Sequence, residues 1–270
     1  MLKTNSINPF KATLLLLVVI GLLMFIPLKN ILIQFQISEF QANYSNLIIK
    51  MSIIFSLSYA VIKRLKIENI SGISPSYTWK FKSLNLIPIY LFLIGIASVA
   101  STDFSEVIPF NILILFMGCL SVGFAEEFLF RGVLQPLFLK AFITKKRGIF
   151  LSVFYAALSF GLFHLINLFS STSILPVFIQ VIYATFIGFF FGVMLLKTNK
   201  IVPLAITHAL INFFFSLQYL PNINPVVPEY NSSGIAAIIT PVLLPLPLFI
   251  IGLILLPKVN KATVIKKLHS

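Results

Sequence analysis

The chain has 270 residues, 59% of them hydrophobic and only 10% charged, with a mean hydropathy of +1.03. That composition excludes a soluble globular domain and defines a polytopic membrane protein. The net charge of +13 would suit nucleic acid, but the Lys and Arg residues are dispersed over short loops and form no continuous basic face, which excludes that partner. A single cysteine, Cys119, excludes an intramolecular disulfide and a Cys-based metal cluster, and is assigned to packing.

Apolar runs predict an all-α bundle of eight membrane-spanning helices over residues 11–28, 46–63, 84–101, 107–139, 148–169, 174–196, 201–218 and 235–256. Most are near the length of roughly 17 to 25 residues that crosses about 30 Å of hydrocarbon. The first run ends at Pro27-Leu28-Lys29-Asn30, which offers no small-residue cleavage site, so it reads as a retained span and not a signal peptide. The connection 64–83 carries Trp79 beside Lys80 and Lys82, the composition of an interfacial anchor. The fourth run, 107–139, would overshoot the bilayer as a straight helix and contains Gly123, Glu126, Glu127, Arg131, Gly132 and Pro136. It is expected to tilt, or to kink near Pro136 and the glycines, with its charges turned to the bundle interior or a water-filled cavity. Connection 219–234, with Pro221, Pro225, Pro228 and Gly234, reads as a turn-rich outside loop.

Charge alternates along this order. Lys3 and Lys11 precede the first span; Lys63, Arg64, Lys66, Lys80 and Lys82 follow the second; Lys140, Lys145, Lys146 and Arg147 follow the fourth. Lys197 and Lys200 follow the sixth, and Lys258, Lys261, Lys266 and Lys267 follow the eighth. The intervening loops carry Asp103, Glu106 or Glu229, and only the first is flanked by lysines, Lys29 and Lys50. The excess of positive charge on cytoplasmic loops then places both termini in the cytoplasm, with Lys50 snorkelling to the outer interface. One membrane domain, 1–270, accounts for the chain, and the expected location is the cell membrane.

Five of the seven acidic residues fall in loops; Glu126 and Glu127 do not. Ionisable groups at membrane depth are rare and usually functional. On a helix Glu127 and Arg131 face each other at i,i+4, while Glu126 is turned by about 100° and is free to act as a base. His208 and Asn212 share a face by the same spacing and can donate hydrogen bonds to one developing oxyanion. Counted from the basic clusters at about 1.5 Å per residue, Glu126 lies about 21 Å, His164 about 26 Å and Asn212 about 18 Å along the helices. The three groups can therefore meet inside the membrane, within reach of the cytoplasmic side.

Glu126-Glu127-x-x-x-Arg131, Phe160-x-x-x-His164 and His208-x-x-x-Asn212 occur in that order. With these motifs the chain resembles the CAAX-prenyl endopeptidase and bacteriocin-processing family, the CPBP or ABI intramembrane proteases, over roughly 107–217. The resemblance implies an intramembrane endopeptidase whose core is that segment. By it, Glu126 and His164 would activate the attacking water, His208 and Asn212 would stabilise the tetrahedral oxyanion, and Glu127 with Arg131 would support Glu126. Glu126, His164 and His208 also make a formal His₂Glu set of the kind that holds catalytic zinc. The chain has no H-E-x-x-H helix, and a metal would occupy groups wanted for the oxyanion, so metal-independent chemistry is favoured over a zinc-dependent version. The implied partners are a peptide or lipidated, membrane-anchored protein substrate and the bilayer. A non-proteolytic immunity or scaffold protein that keeps the motifs as interhelical contacts is the alternative. A proton-coupled transporter is disfavoured because no inverted repeat or pair of broken helices is present.

Overall fold

The computed structural model describes residues 8–169, 171, 173–225 and 235–270; Lys3, Pro228, Glu229 and Gly234 of the sequence reading lie outside them. The architecture is all-α, relieved only by a two-residue antiparallel pairing of β1 (Thr102–Asp103) with β2 (Asn224–Pro225). Among the described residues, seven helical stretches are long and apolar enough to cross a membrane: Pro9–Ile33, Glu39–Arg64, Pro109–Phe142, Gly148–Phe169, Ile174–Thr198, Val202–Tyr219 and Ile238–Lys258. The chain thus has the helices of a polytopic membrane protein.

The expected span at 84–101 is the exception to the eight. It is a shorter apolar helical stretch, Lys82–Ala97, in which a 3₁₀ turn (Lys82–Leu86) precedes α5 (Ile89–Ala97). Pro88, which has no N–H to donate, sits at the junction between the two. The segment still runs from one end of the bundle to the other. At its start the Lys80 N–H donates to the Thr198 carbonyl (2.9 Å), and beyond its end Thr102 pairs with Pro225.

The first span divides into α1 (Pro9–Met24) and α2 (Leu28–Ile33) at Pro27, and α3 (Glu39–Arg64) follows, with Ser38 Oγ accepting the Gln41 N–H (3.2 Å) at its N-terminus. Because α3 starts well before residue 46, Lys50 lies in the middle of the helix. It is buried, and its Nζ donates to the Met24 carbonyl (2.7 Å), capping the C-terminus of α1. After α4 (Glu68–Ser71) and α5, the chain enters α6 (Pro109–Glu126), a π-helical segment (Glu127–Leu134) and α7 (Gln135–Phe142). α8 (Gly148–Phe163) ends in a 3₁₀ segment (His164–Phe169), followed by α9 (Ile174–Thr198), α10 (Val202–Ser216), α11 (Ile235–Leu243), α12 (Leu246–Leu255) and the terminal α13 (Lys261–His269).

The π-helical segment is the centre of the bundle: all eight of its residues are buried, and α3, α4, α8, α9 and α10 pack around it. In contrast, α1 presents Leu14, Leu15, Val18 and Leu22 outward, as a lipid-facing helix does. The basic segments gather at one end. Phe10, at the start of α1, stacks edge-on against Phe138 of α7 (5.3 Å); α13 packs on α4 and α7; Asn69 Nδ2 donates to Ser270 Oγ (2.9 Å); and Lys197 Nζ donates to the Lys258 carbonyl (3.0 Å). The opposite end holds Asp103, Glu106 and the β1–β2 pairing. Cys119 is buried there with Val107, Leu115 and Leu220. Trp79 is exposed at the basic end, with Lys82 Nζ 5.4 Å from its ring centre.

Candidate active site

The overlong fourth run stays helical from Pro109 to Phe142, and its irregularity takes the form of a π-helical stretch that begins at the acidic pair. The Glu127 N–H still donates in the α pattern to Gly123, but by Gln135 the N–H reaches Phe130, five residues back. π-helical turns are uncommon and concentrate at functional sites. Pro136 explains part of the irregularity, because it lacks the N–H that an α-helix would direct to the carbonyl of Gly132. Ser71 Oγ donates to that carbonyl instead (2.5 Å), so the short α4 serves the central segment from outside.

Two glycines set the approach of the neighbouring helices. A Cβ on Gly123 would lie 2.5 Å from the Ala205 carbonyl oxygen and 2.9 Å from the Ala209 nitrogen, so α6 and α10 meet here backbone to backbone. The contact is one turn before Glu127 on α6 and beside His208 on α10, and it brings the carboxylates to the imidazole. On α9, a Cβ at Gly188 would lie 2.9 Å from Arg131 Nη2; its absence makes room for the guanidinium.

Within that frame Glu126, Glu127, Arg131 and His208 form one buried cluster. Arg131 Nη1 lies 3.1 Å from Glu127 Oε1, and its guanidinium carbon sits 4.3 Å from the centre of the Phe160 ring and 6.0 Å from that of Phe191. The Nη1 contact is ionic and poorly aligned for a hydrogen bond, since neither Nη has a hydrogen-bond partner among the described residues. His208 Nδ1 is 2.9 Å from the same Glu127 Oε1. A carboxylate beside the Arg131 cation can only accept, so Nδ1 is assigned as the protonated nitrogen. The ring is thereby turned with Nε2 toward Glu126, whose Oε2 is 3.5 Å away. That distance is too long for a hydrogen bond but short enough for charge to be shared.

His164, half-buried at the end of α8, donates Nδ1–H to the Phe160 carbonyl (2.9 Å), which leaves its Nε2 unprotonated in the neutral ring. Phe160 joins the two histidines: its ring centre is 5.0 Å from that of His164 and 5.9 Å from that of His208. Asn212 lies half-buried in α10, one turn beyond His208, and its side chain makes no hydrogen bond to a described residue. The spacing argument left His208 to act with Asn212 and Arg131 to hold Glu127 alone. In the structure Glu127 serves both Arg131 and His208.

Glu126, His164 and His208 do not fit a zinc ion as placed. Among the described residues no three His, Cys, Asp or Glu side chains come together in a group that could hold a metal. Both histidines use Nδ1 on the protein and keep Nε2 free, as metal-binding imidazoles do, so it is the spacing of the three groups and not their donor atoms that fails.

A second polar group lay unnoticed in the sequence. Asn167 Nδ2 donates to Gln180 Oε1 (2.9 Å), and Gln180 shares its turn of α9 with Tyr183. Gln180 and Tyr183 are three residues apart in an otherwise apolar span, a signal that helical spacing offered but that no motif marked.

Residues 108–214 match the family model described as Rce1-like, the type II CAAX prenyl endopeptidase Rce1-like family, over about 40% of the chain. The matched segment runs from the start of α6 into α10 and includes all seven motif residues. No curated protein and no solved structure matches the chain.

Proposed function

We propose that the chain is an intramembrane endopeptidase that hydrolyses a peptide bond in a membrane-anchored or lipidated substrate. The observation that carries this reading is the arrangement of Glu126, Glu127 and His208. One carboxylate fixes the imidazole through Nδ1, and the other stands opposite Nε2 with nothing between them. Glu126 and the free Nε2 of His164 orient a water, and Glu126 takes its proton as the oxygen attacks the carbonyl carbon. His208, held through Nδ1 by Glu127, donates from Nε2 to the oxyanion together with the Asn212 amide. When the tetrahedral intermediate collapses, Glu126 returns the proton to the leaving amine. Arg131 and Glu127 are positioning residues, since each acts on the reaction through another group.

An apolar groove of about 390 Å³ supports a lipid-bearing substrate. It lies between α1 and the segment that begins at His164, and is lined by Leu17, Phe25, Phe163, Leu165 and Phe169 among others. In this reading 1–270 forms one membrane domain with its protease core at 107–217, and the basic end with both termini faces the cytoplasm.

The test is cleavage of a fluorogenic lipidated peptide library by purified protein, comparing wild type with Glu126→Gln, each with and without a zinc chelator. Loss of cleavage in Glu126→Gln at an unchanged Tm, with wild type active in chelator, is the expected result. Loss of wild-type activity in chelator would transfer the chemistry to a metal. A folded wild type that cleaves nothing would favour the immunity or scaffold reading.

A further inference from the structure

At the basic end of the bundle, three lysines from separate segments converge: Lys80 from the 64–83 connection, Lys200 from the link between α9 and α10, and Lys267 from α13. Lys200 Nζ donates to the Ser74 carbonyl (2.7 Å). Lys267 Nζ donates to Asn199 Oδ1 and lies 4.7 Å from the centre of the Tyr77 ring. All of these partners are neutral. Among the described residues no carboxylate pairs with Lys80, Lys200 or Lys267, and Glu68 on the same face is engaged by Lys63 at 3.5 Å.

Lys267 shows what this costs. It is 4% exposed, and burial, with Lys80 and Lys200 adding to it, pushes its amine down to about 8. Buried cations are normally paired with an anion, yet here the chain surrounds one with further cations. Beside the cluster opens a cavity of about 500 Å³ lined by Lys63 and its partner Glu68, by Asn69, Ser74, Lys200 and Ser270, with Phe128 of the π-helical segment in its wall.

We propose that this cluster binds the phosphate of an anionic lipid headgroup, with Lys80 and Lys200 contacting the phosphate oxygens and Lys267 neutralised behind them. Two observations favour a lipid over a dissolved anion. Trp79 and Phe81, on either side of Lys80, are both exposed, at 36% and 57%. Each ring carries a lysine over it, Lys82 at 5.4 Å and Lys197 at 4.6 Å, and exposed aromatic rings mixed with lysines at the ends of apolar helices are the composition of a bilayer interface. The cluster therefore lies at headgroup depth.

The full-length protein in neutral detergent is titrated with phosphatidylglycerol, phosphatidylcholine or inorganic phosphate, and binding is read by Tm and by native mass spectrometry. Phosphatidylglycerol is expected to raise Tm and to stay bound, while phosphatidylcholine does neither. Lys80→Gln/Lys200→Gln should weaken phosphatidylglycerol binding by about tenfold or more, whereas Lys145→Gln/Lys146→Gln at the same end should leave it intact. Lys80→Gln alone, at an exposed position, gives a smaller loss in the same direction and serves as the variant certain to test binding in folded protein. Equal binding by wild type and both Lys80 variants would overturn the proposal. A Tm rise reproduced by inorganic phosphate in wild type, and lost in the variants, would overturn the lipid as the source of the anion. Neither readout depends on peptide cleavage, so the result stands apart from the protease reading.

Discussion

Removing Arg131 leaves the buried Glu127 with only the His208 imidazole to answer its charge. Arg131→Met is therefore expected to cost about 3–5 kcal/mol, measured by unfolding in mixed detergent, and adding Glu127→Gln should restore part of that loss. Simple additivity of the two changes would mean that the pair contributes nothing as a pair. Glutamine keeps an oxygen that accepts His208 Nδ1–H, so the double variant separates charge from orientation. Lys267 makes a second prediction, on pH. Its amine sits at about 8 in the folded protein against 10.5 in an unfolded chain, so between these values the unfolded chain binds the proton more tightly. Stability in neutral detergent should rise from pH 8 towards 10.5, and Lys267→Met should flatten that rise. At this scale the sequence disclosed the Glu127–Arg131 contact, because i,i+4 spacing on one helix fixes it. It did not disclose the bond from His208 to Glu127, 81 positions apart, because only the crossing of α6 and α10 creates it.

That crossing depends on an element-level contact with no spare room. Gly123→Ala puts a methyl group 2.5 Å from the Ala205 carbonyl oxygen and is expected to cost about 1–3 kcal/mol. Activity should fall with stability, since the helices that would be pushed apart carry Glu126 and His208. Gly21→Ala is the control for stability alone, because a Cβ there meets nothing within 4 Å and its Tm should stay at wild type, while its place in the wall of the apolar groove makes cleavage the wrong readout for it. The π-helical segment has a similar dependence on α4: Ser71→Ala leaves the Gly132 carbonyl without its donor and should destabilise by about 1–3 kcal/mol. Pro136 and the excess length of 107–139 marked this helix as irregular from sequence. The form of the irregularity was not legible, since a missing N–H can be absorbed by a kink or by a wider turn. Here the Ser71 hydroxyl, 61 positions away, supplies the substitute donor.

For the whole molecule, the alternation of basic and acidic loops predicted two chemically different ends, and the structure gathers the basic segments at one of them. Helix length alone would have given an odd number of crossings and separated the termini, because Lys82–Ala97 falls short of the other spans. The contacts of Lys80 with Thr198 and of Thr102 with Pro225 show that this short segment nevertheless connects the two ends. Its role is testable in a Cys119→Ala background, which removes the one native thiol, itself buried. Single cysteines at Lys82, Glu106 and Lys146 are probed with a membrane-impermeant maleimide in intact and permeabilised cells. The cytoplasmic assignment of the basic end requires Glu106→Cys to label in intact cells, and Lys82→Cys and Lys146→Cys only after permeabilisation. Labelling of Lys82→Cys and Glu106→Cys from the same side would make 82–101 a re-entrant segment. The reverse pattern at all three positions would keep the fold but invert it, so that the positive-inside rule fails for this chain and the phosphate cluster faces the outer leaflet.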